Sequence, residues 1–130
     1  MAAALVDRFQ RGVPLHGLCT YRIGGPASFF FQPARAEEAA EAVAWAGREG
    51  IPSFVMGLGS NLLIGDRGYP GLILHTPGRL HEVRFLGGEA VVEAGADLSP
   101  FILRCCEAGW GGLEDLYDIP GTVGGGVAMN

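Results

Sequence analysis

Two glycine-rich segments, Gly57-Leu-Gly-Ser-Asn61 and Gly121-Thr-Val-Gly-Gly-Gly126, constrain the fold of this chain more than any other feature. Both are embedded in apolar sequence. Val55 and Met56 precede the first, and Ile119, Val123, Val127, Ala128 and Met129 surround the second. Flexible linkers combine glycine with serine and other polar residues. Glycines set among apolar side chains instead mark places where the backbone turns sharply or approaches something closely. There are 22 glycines in 130 residues, more than double the usual share of about 7%, and they follow no fixed period. With 48% hydrophobic and 18% charged residues the composition is globular, and the length fits one domain.

Nine basic residues stand against fourteen acidic ones, a formal charge of −5. A dispersed acidic surface argues against nucleic acid or an anionic membrane as partner. All nine bases are Arg, so a phosphate-binding loop that relies on Lys is excluded. Any phosphate must be met by backbone N–H groups, hydroxyls or Arg. Cys19, Cys105 and Cys106 form neither a disulfide framework nor a ligand spacing, and His16, His75 and His81 are equally scattered. Reduced thiols, no metal site and a cytoplasmic location are expected. No run approaches the roughly 20 apolar residues of a membrane span, and Met1–Asp7 lacks the regions of a signal peptide.

Along the chain, residues 1–18 read as a leader with a short helix, ending at Pro14. Ser28–Gln32 reads as a strand. Glu37–Glu49 reads as a helix with Ala40, Val43 and Ala44 as its apolar stripe, acidic at its start and closed by Gly50. Ser53–Met56 and Gly71–His75 suit buried strands. His81–Leu86 and Glu89–Ala94 flank Gly87-Gly88, a hairpin signature. Ser99 is expected to cap a helix with Pro100 at its first position, running from Phe101 to Ala108 and stopping at Gly109. This order predicts a mixed α/β chain of two small units meeting near residues 76–80.

The first glycine segment follows directly on a strand and exposes consecutive N–H donors beside Ser60 and Asn61, which makes it a candidate anion nest. A tight strand-exit turn would read the same way. It is not the dinucleotide fingerprint, because the third glycine is missing and the nearest acid, Asp66, comes too early. Proline 120 stiffens the entry to the second segment, whose glycines strip one face of side chains and could lie flat against a planar ring. A third segment, Thr20-Tyr-Arg-Ile-Gly-Gly25, pairs an aromatic with a cation. Tyr21 could stack and Arg22 could meet a phosphate, though a half-buried Tyr beside a surface Arg fits equally well. No general acid or base stands out, and Glu114-Asp115 reads as a solvated loop. On this reading a valine at Gly59 costs ligand affinity far more than fold stability.

Together, Thr20–Gly25, Gly57–Leu63 and the run Gly112-Leu-Glu…Ile119-Pro-Gly-Thr-Val-Gly-Gly125…Asn130 resemble the UDP-N-acetylenolpyruvoylglucosamine reductases, flavoenzymes of peptidoglycan precursor synthesis. The resemblance covers about residues 15–130. It implies the FAD-binding fold shared with vanillyl-alcohol oxidase and carbon monoxide dehydrogenase flavoproteins, with 1–78 as the first FAD-binding subdomain and 79–130 as an incomplete second one. It implies non-covalent FAD, held by Tyr21, Arg22, Ile23, Gly24, Gly25, Gly57, Leu58, Gly59, Ser60, Asn61, Leu62, Ile119, Pro120, Gly121, Thr122, Gly124, Gly125 and Asn130, with the Gly57–Asn61 loop at the diphosphate. NADPH as reductant and a UDP-sugar substrate follow for the whole enzyme. The family's catalytic Arg, Ser and Glu lie beyond the end of this chain, with the substrate domain, so these residues alone are expected to be inactive. Three departures are small: Cys19 for a common Asn or His, Asp118 for a frequent Gly, and Gly126 for a frequent Ala. A related sugar or alcohol oxidase domain and a non-catalytic nucleotide-binding module are the alternatives.

Overall fold

The computed structural model describes residues 2–129 and is mixed α/β, as expected. The chain runs α1 (Ala2–Val6), β1 (Gln10–Pro14), a 3₁₀ turn (His16–Leu18), β2 (Pro26–Phe31), α2 (Ala36–Arg48), β3 (Ser53–Met56) and β4 (Tyr69–His75). It continues through β5 (Val83–Leu86), β6 (Glu89–Val92), α3 (Leu98–Glu107), a second 3₁₀ turn (Glu114–Leu116) and α4 (Val123–Met129). Asn130, assigned to the cofactor in the sequence reading, lies outside the described residues.

The first sheet has the order β1-β2-β4-β3, with β2, β3 and β4 parallel and β1 antiparallel to β2. Parallel neighbours require crossover connections. Helix α2 makes the one between β2 and β3, and the non-helical segment 57–68 makes the one between β3 and β4. Strand side chains alternate between faces, and both faces are covered. Phe31, Leu72 and Leu74 pack under α1 and α2 with Leu5, Phe9, Ala42 and Ala46. Phe30, Met56 and Ile73 pack on the other side with Leu15 and Cys19, flanked by Leu62 and Ile64 of the 57–68 crossover. The first glycine segment is therefore the start of a connection that also roofs half of the core.

The leader does not remain helical or irregular to Pro14: Gln10–Pro14 is an edge strand, paired from Gln10↔Phe30 to Pro14↔Pro26. The buried face of α2 is Ala42 and Ala46, both 0% exposed, whereas Ala40, Val43 and Ala44 face solvent. Alanines surround this helix, so periodicity cannot choose a face. Trp45 chooses it, standing edge-on to Phe9 and Phe29 at 5.1 and 5.3 Å. An ion pair from Arg8 to Glu38, 2.8 Å long, ties the end of α1 to the same helix.

The second sheet is the expected hairpin of β5 and β6, with φ of +54° and +97° at Gly87 and Gly88. Phe85 meets Trp110 edge-on at 5.1 Å. Helix α3 begins one residue earlier than Ser99, with Asp97 at its N-cap position. Ser99 does not cap it: the Ser99 Oγ accepts the Asp118 N–H at 3.2 Å. The buried Leu98, whose N–H donates to Gly121 O at 3.0 Å, sets the start instead.

Candidate ligand-binding cleft

A cleft of about 370 Å3 opens between the two glycine-rich segments. Phe54 and Val55 of β3 and residues Gly57 to Leu62 form one wall. Ile119 to Thr122 with Gly125, Gly126, Ala128 and Met129 form the other, joined by Leu98. It lies just past the carboxyl end of β3, where open α/β sheets commonly hold ligands.

The first wall turns because of its glycines. Gly59 has a φ of +65°, and a β-carbon there would collide with Leu18 O and lie 2.9 Å from the Cys19 Cα. The Thr20 N–H donates to Gly59 O at 3.2 Å. Among the described residues, none of the backbone N–H groups of Gly57, Leu58, Gly59, Ser60 and Asn61 donates to a protein acceptor. Five successive donors on a cleft wall, in a loop that is not buried throughout, are free for a ligand or water.

The second wall differs from the sequence reading. It is not a flat glycine loop: from Val123 the chain is helical. Thr122, 1% exposed, is the cap, its Oγ1 accepting the Gly125 N–H at 3.1 Å. The Val123 and Gly124 N–H groups donate to Ala96 O and Ala94 O at 2.8 and 3.0 Å, and that of Gly126 to Thr122 O at 2.8 Å. The donors at the start of α4 are thus all engaged within the protein, and this end of the helix offers an anion no free N–H. Its glycines serve packing. A β-carbon at Gly124 would sit 2.7 Å from that of Ala94, and Gly125 and Gly126 present backbone to the cleft.

Of the residues assigned from sequence, the structure brings together on this cleft Gly57, Leu58, Gly59, Ser60, Asn61, Leu62, Ile119, Pro120, Gly121, Thr122 and Gly125. Gly124 faces Ala94 instead. Tyr21, Arg22, Ile23, Gly24 and Gly25 do not line it. Their segment backs the Gly59 loop, held by Arg22 N–H to Cys19 O at 3.2 Å, Cys19 Sγ to Ile23 O at 3.3 Å and Gly25 N–H to Gly65 O at 3.0 Å. The sequence reading missed Phe54, Val55, Leu98, Ala128 and Met129, while Gly126, part of the second glycine segment, does reach the cleft. Ser53–Met56 was expected to be buried, yet β3 is an edge strand, so Phe54 and Val55 are 41% and 57% exposed. An isolated apolar run gives no sign of whether its strand lies at an edge.

The titratable groups with shifted pKa lie off the cleft. Burial pushes the His75 imidazole down, with its Nδ1 2.9 Å from Gln32 Nε2. Glu114, fully exposed, is held below the usual carboxylate range by backbone N–H groups, first its own and then that of Gly112. Among the described residues no cluster of His, Cys, Asp or Glu could hold a metal, and no helix is long and apolar enough to cross a membrane.

Residues 27–130 match the family model described as an FAD binding domain. The chain is 44% identical over 129 residues to a UDP-N-acetylenolpyruvoylglucosamine reductase of Synechococcus sp. (strain JA-3-3Ab), covering 98% of this chain and 41% of that protein. It is 40% identical over 124 residues to the enzyme of that name from Gloeobacter violaceus, covering 95% and 42%. A crystal structure of UDP-N-acetylenolpyruvylglucosamine reductase (MurB) from Thermus caldophilus superimposes with a TM-score of 0.74 at 34% identity, over 91% of this chain and 40% of that one. The chain thus spans about two fifths of the length of these relatives.

Proposed function

The chain belongs to the FAD binding domain family, and from that premise we propose that it is the N-terminal FAD-binding part of a UDP-N-acetylenolpyruvoylglucosamine reductase. The fold is the mixed α/β FAD-binding fold, matched by a solved reductase. In this proposal residues 1–78 are the first FAD-binding subdomain and 79–130 begin the second. The reductase activity, with NADPH as reductant and a UDP-sugar as substrate, belongs to a cytoplasmic protein of the relatives' length that includes this chain.

The observation that carries the reading is the asymmetry of the cleft: five free backbone donors on one wall and an apolar, glycine-surfaced helix on the other. With no lysine in the chain and no Arg among the residues lining the cleft, the N–H groups of Gly57–Asn61 are the donors offered to a diphosphate there, and such charge-assisted bonds are stronger than neutral ones. Phe54, Val55, Ala128 and Met129 exclude water from a planar apolar group, and Gly125 and Gly126 let it approach the backbone. When bound, FAD supplies the hydride chemistry; the residues of this chain bind it and fix its orientation. We assign none of them a catalytic role.

Adding FAD to the purified protein tests this. Saturable quenching of flavin fluorescence at one equivalent is expected, and addition of ADP should compete. Flavin fluorescence unchanged by the protein would sink the reading. For the whole protein, NADPH oxidation that depends on the enolpyruvyl sugar nucleotide distinguishes the reductase from an oxidase with a similar domain.

A further inference from the structure

Within that reading, we propose that the Ser60 hydroxyl is a positioning group that latches the two walls of the cleft together, not a ligand of the diphosphate. The Ser60 Oγ donates to Pro120 O at 2.7 Å, joining segments 60 residues apart. A hydroxyl has one proton to donate and two lone pairs to accept with. Phosphate oxygens only accept. With its proton committed to Pro120 O, the Ser60 hydroxyl has nothing to give a phosphate unless the latch opens, whereas the backbone N–H groups of Gly57–Asn61, that of Ser60 included, are all free.

The contact is well placed for a latch. Pro120 precedes Gly121, whose carbonyl accepts the Leu98 N–H at 3.0 Å, and Thr122, the cap of α4. A bond to Pro120 O therefore fixes the donor wall against the unit that carries the apolar wall. Close by, the bare Cα of Gly57 faces the Thr122 side chain, so the same two segments meet at a second point. Holding the walls at one separation removes the ordering that a ligand would otherwise have to impose. The latch sets the cleft width, and the free N–H row binds.

The test exploits Gly121. A β-carbon built there lies 3.8 Å from Ser60 Oγ with no other close neighbour, and Gly121 is not among the positive-φ glycines. Cysteines at both positions can thus replace the hydrogen bond with a disulfide. In a Cys106→Ser background, because Cys106 is the exposed thiol, FAD affinity is compared for wild type, Ser60→Ala, and Ser60→Cys/Gly121→Cys in oxidised and reduced form. Ser60→Ala is expected to weaken FAD by about three- to tenfold, the range of one net hydrogen bond. The cross-linked double variant should bind at least as tightly as wild type, and its reduced form should fall to the Ser60→Ala level. Cross-linked protein that binds as weakly as Ser60→Ala would make the hydroxyl a phosphate ligand and overturn the latch, and Ser60→Ala with unchanged affinity would overturn it too. Wild type that takes up no FAD would bring down the flavin reading itself, and the latch with it.

Discussion

The side chain of Thr122 occupies the space where a β-carbon of residue 57 would be: built onto Gly57, that carbon falls 2.6 Å from Thr122 Oγ1. Thr122 is buried and its hydroxyl is committed to the Gly125 N–H, so it cannot move aside freely. Gly57→Ala is expected to destabilise the fold by about 1–3 kcal/mol, as overpacked sites do. Thr122→Ala alone should cost about 1 kcal/mol through loss of the cap. The double variant should lose less than the sum, because the alanine at 122 removes the atom the alanine at 57 strikes. Urea unfolding of the four proteins measures the coupling, and strict additivity would refute the contact.

Gly59→Val is expected to lower stability by about 3 kcal/mol or more. The sequence reading placed this cost on the ligand. The structure places it on the fold, since Gly59 has a left-handed φ and its missing β-carbon points at Leu18 O and the Cys19 Cα. A thermal midpoint equal to wild type with only FAD affinity lost would restore the sequence reading.

Asp118 holds a φ of +67° just ahead of the second wall, with its N–H on Ser99 Oγ. Glycine tolerates that conformation and a β-branched residue does not. Asp118→Gly should be neutral or slightly stabilising, while Asp118→Val should cost about 1–2 kcal/mol. Equal stabilities of the two variants in urea would contradict the backbone geometry.

Stability should also respond to mild acid through His75. Burial holds its folded-state pKa below the ordinary value, so below about pH 6.5 the unfolded chain takes up a proton that the folded chain refuses. Stability falls with pH from that point until folded His75 itself titrates. The thermal midpoint should be lower at pH 5 than at pH 7, and His75→Asn should flatten the difference. Glu38 acts in a lower window: the hydrogen bond from Arg8, then that from the Ala34 N–H, depresses its pKa, so its contribution is present above the usual carboxylate range and is lost as pH falls through the depressed value. A His75→Asn protein with the wild-type slope between pH 7 and 5 would show that other groups govern it.

Elements bounded by strong local chemistry were legible before the structure: β3, the Gly87-Gly88 hairpin and the extent of α2 with Gly50 after it. Elements that depend on a distant partner were not. Gln10–Pro14 lacks alternation and becomes a strand only by pairing with β2. Helix α4 was hidden by Gly124, Gly125 and Gly126, each worth about 1 kcal/mol less than Ala in a helix. Its start is held by the Thr122 cap and by the Ala94 and Ala96 carbonyls, which a local reading does not reach. For the cleft, the glycine segments announced themselves, but Phe54 and Met129 looked like ordinary core. The opening segment Thr20–Gly25 has the chemistry of a contact residue set and the position of a buttress.

The difference between the two walls makes the cleft directional. Unengaged amides lie along residues 57–61, while the amides at the start of α4 are already bonded to Ala94, Ala96 and Thr122. A molecule that is anionic at one end and flat and apolar at the other gains free energy in one orientation and loses hydration without compensation in the reverse one. Head and tail are told apart by the arrangement of main-chain bonds alone, before any charged side chain takes part.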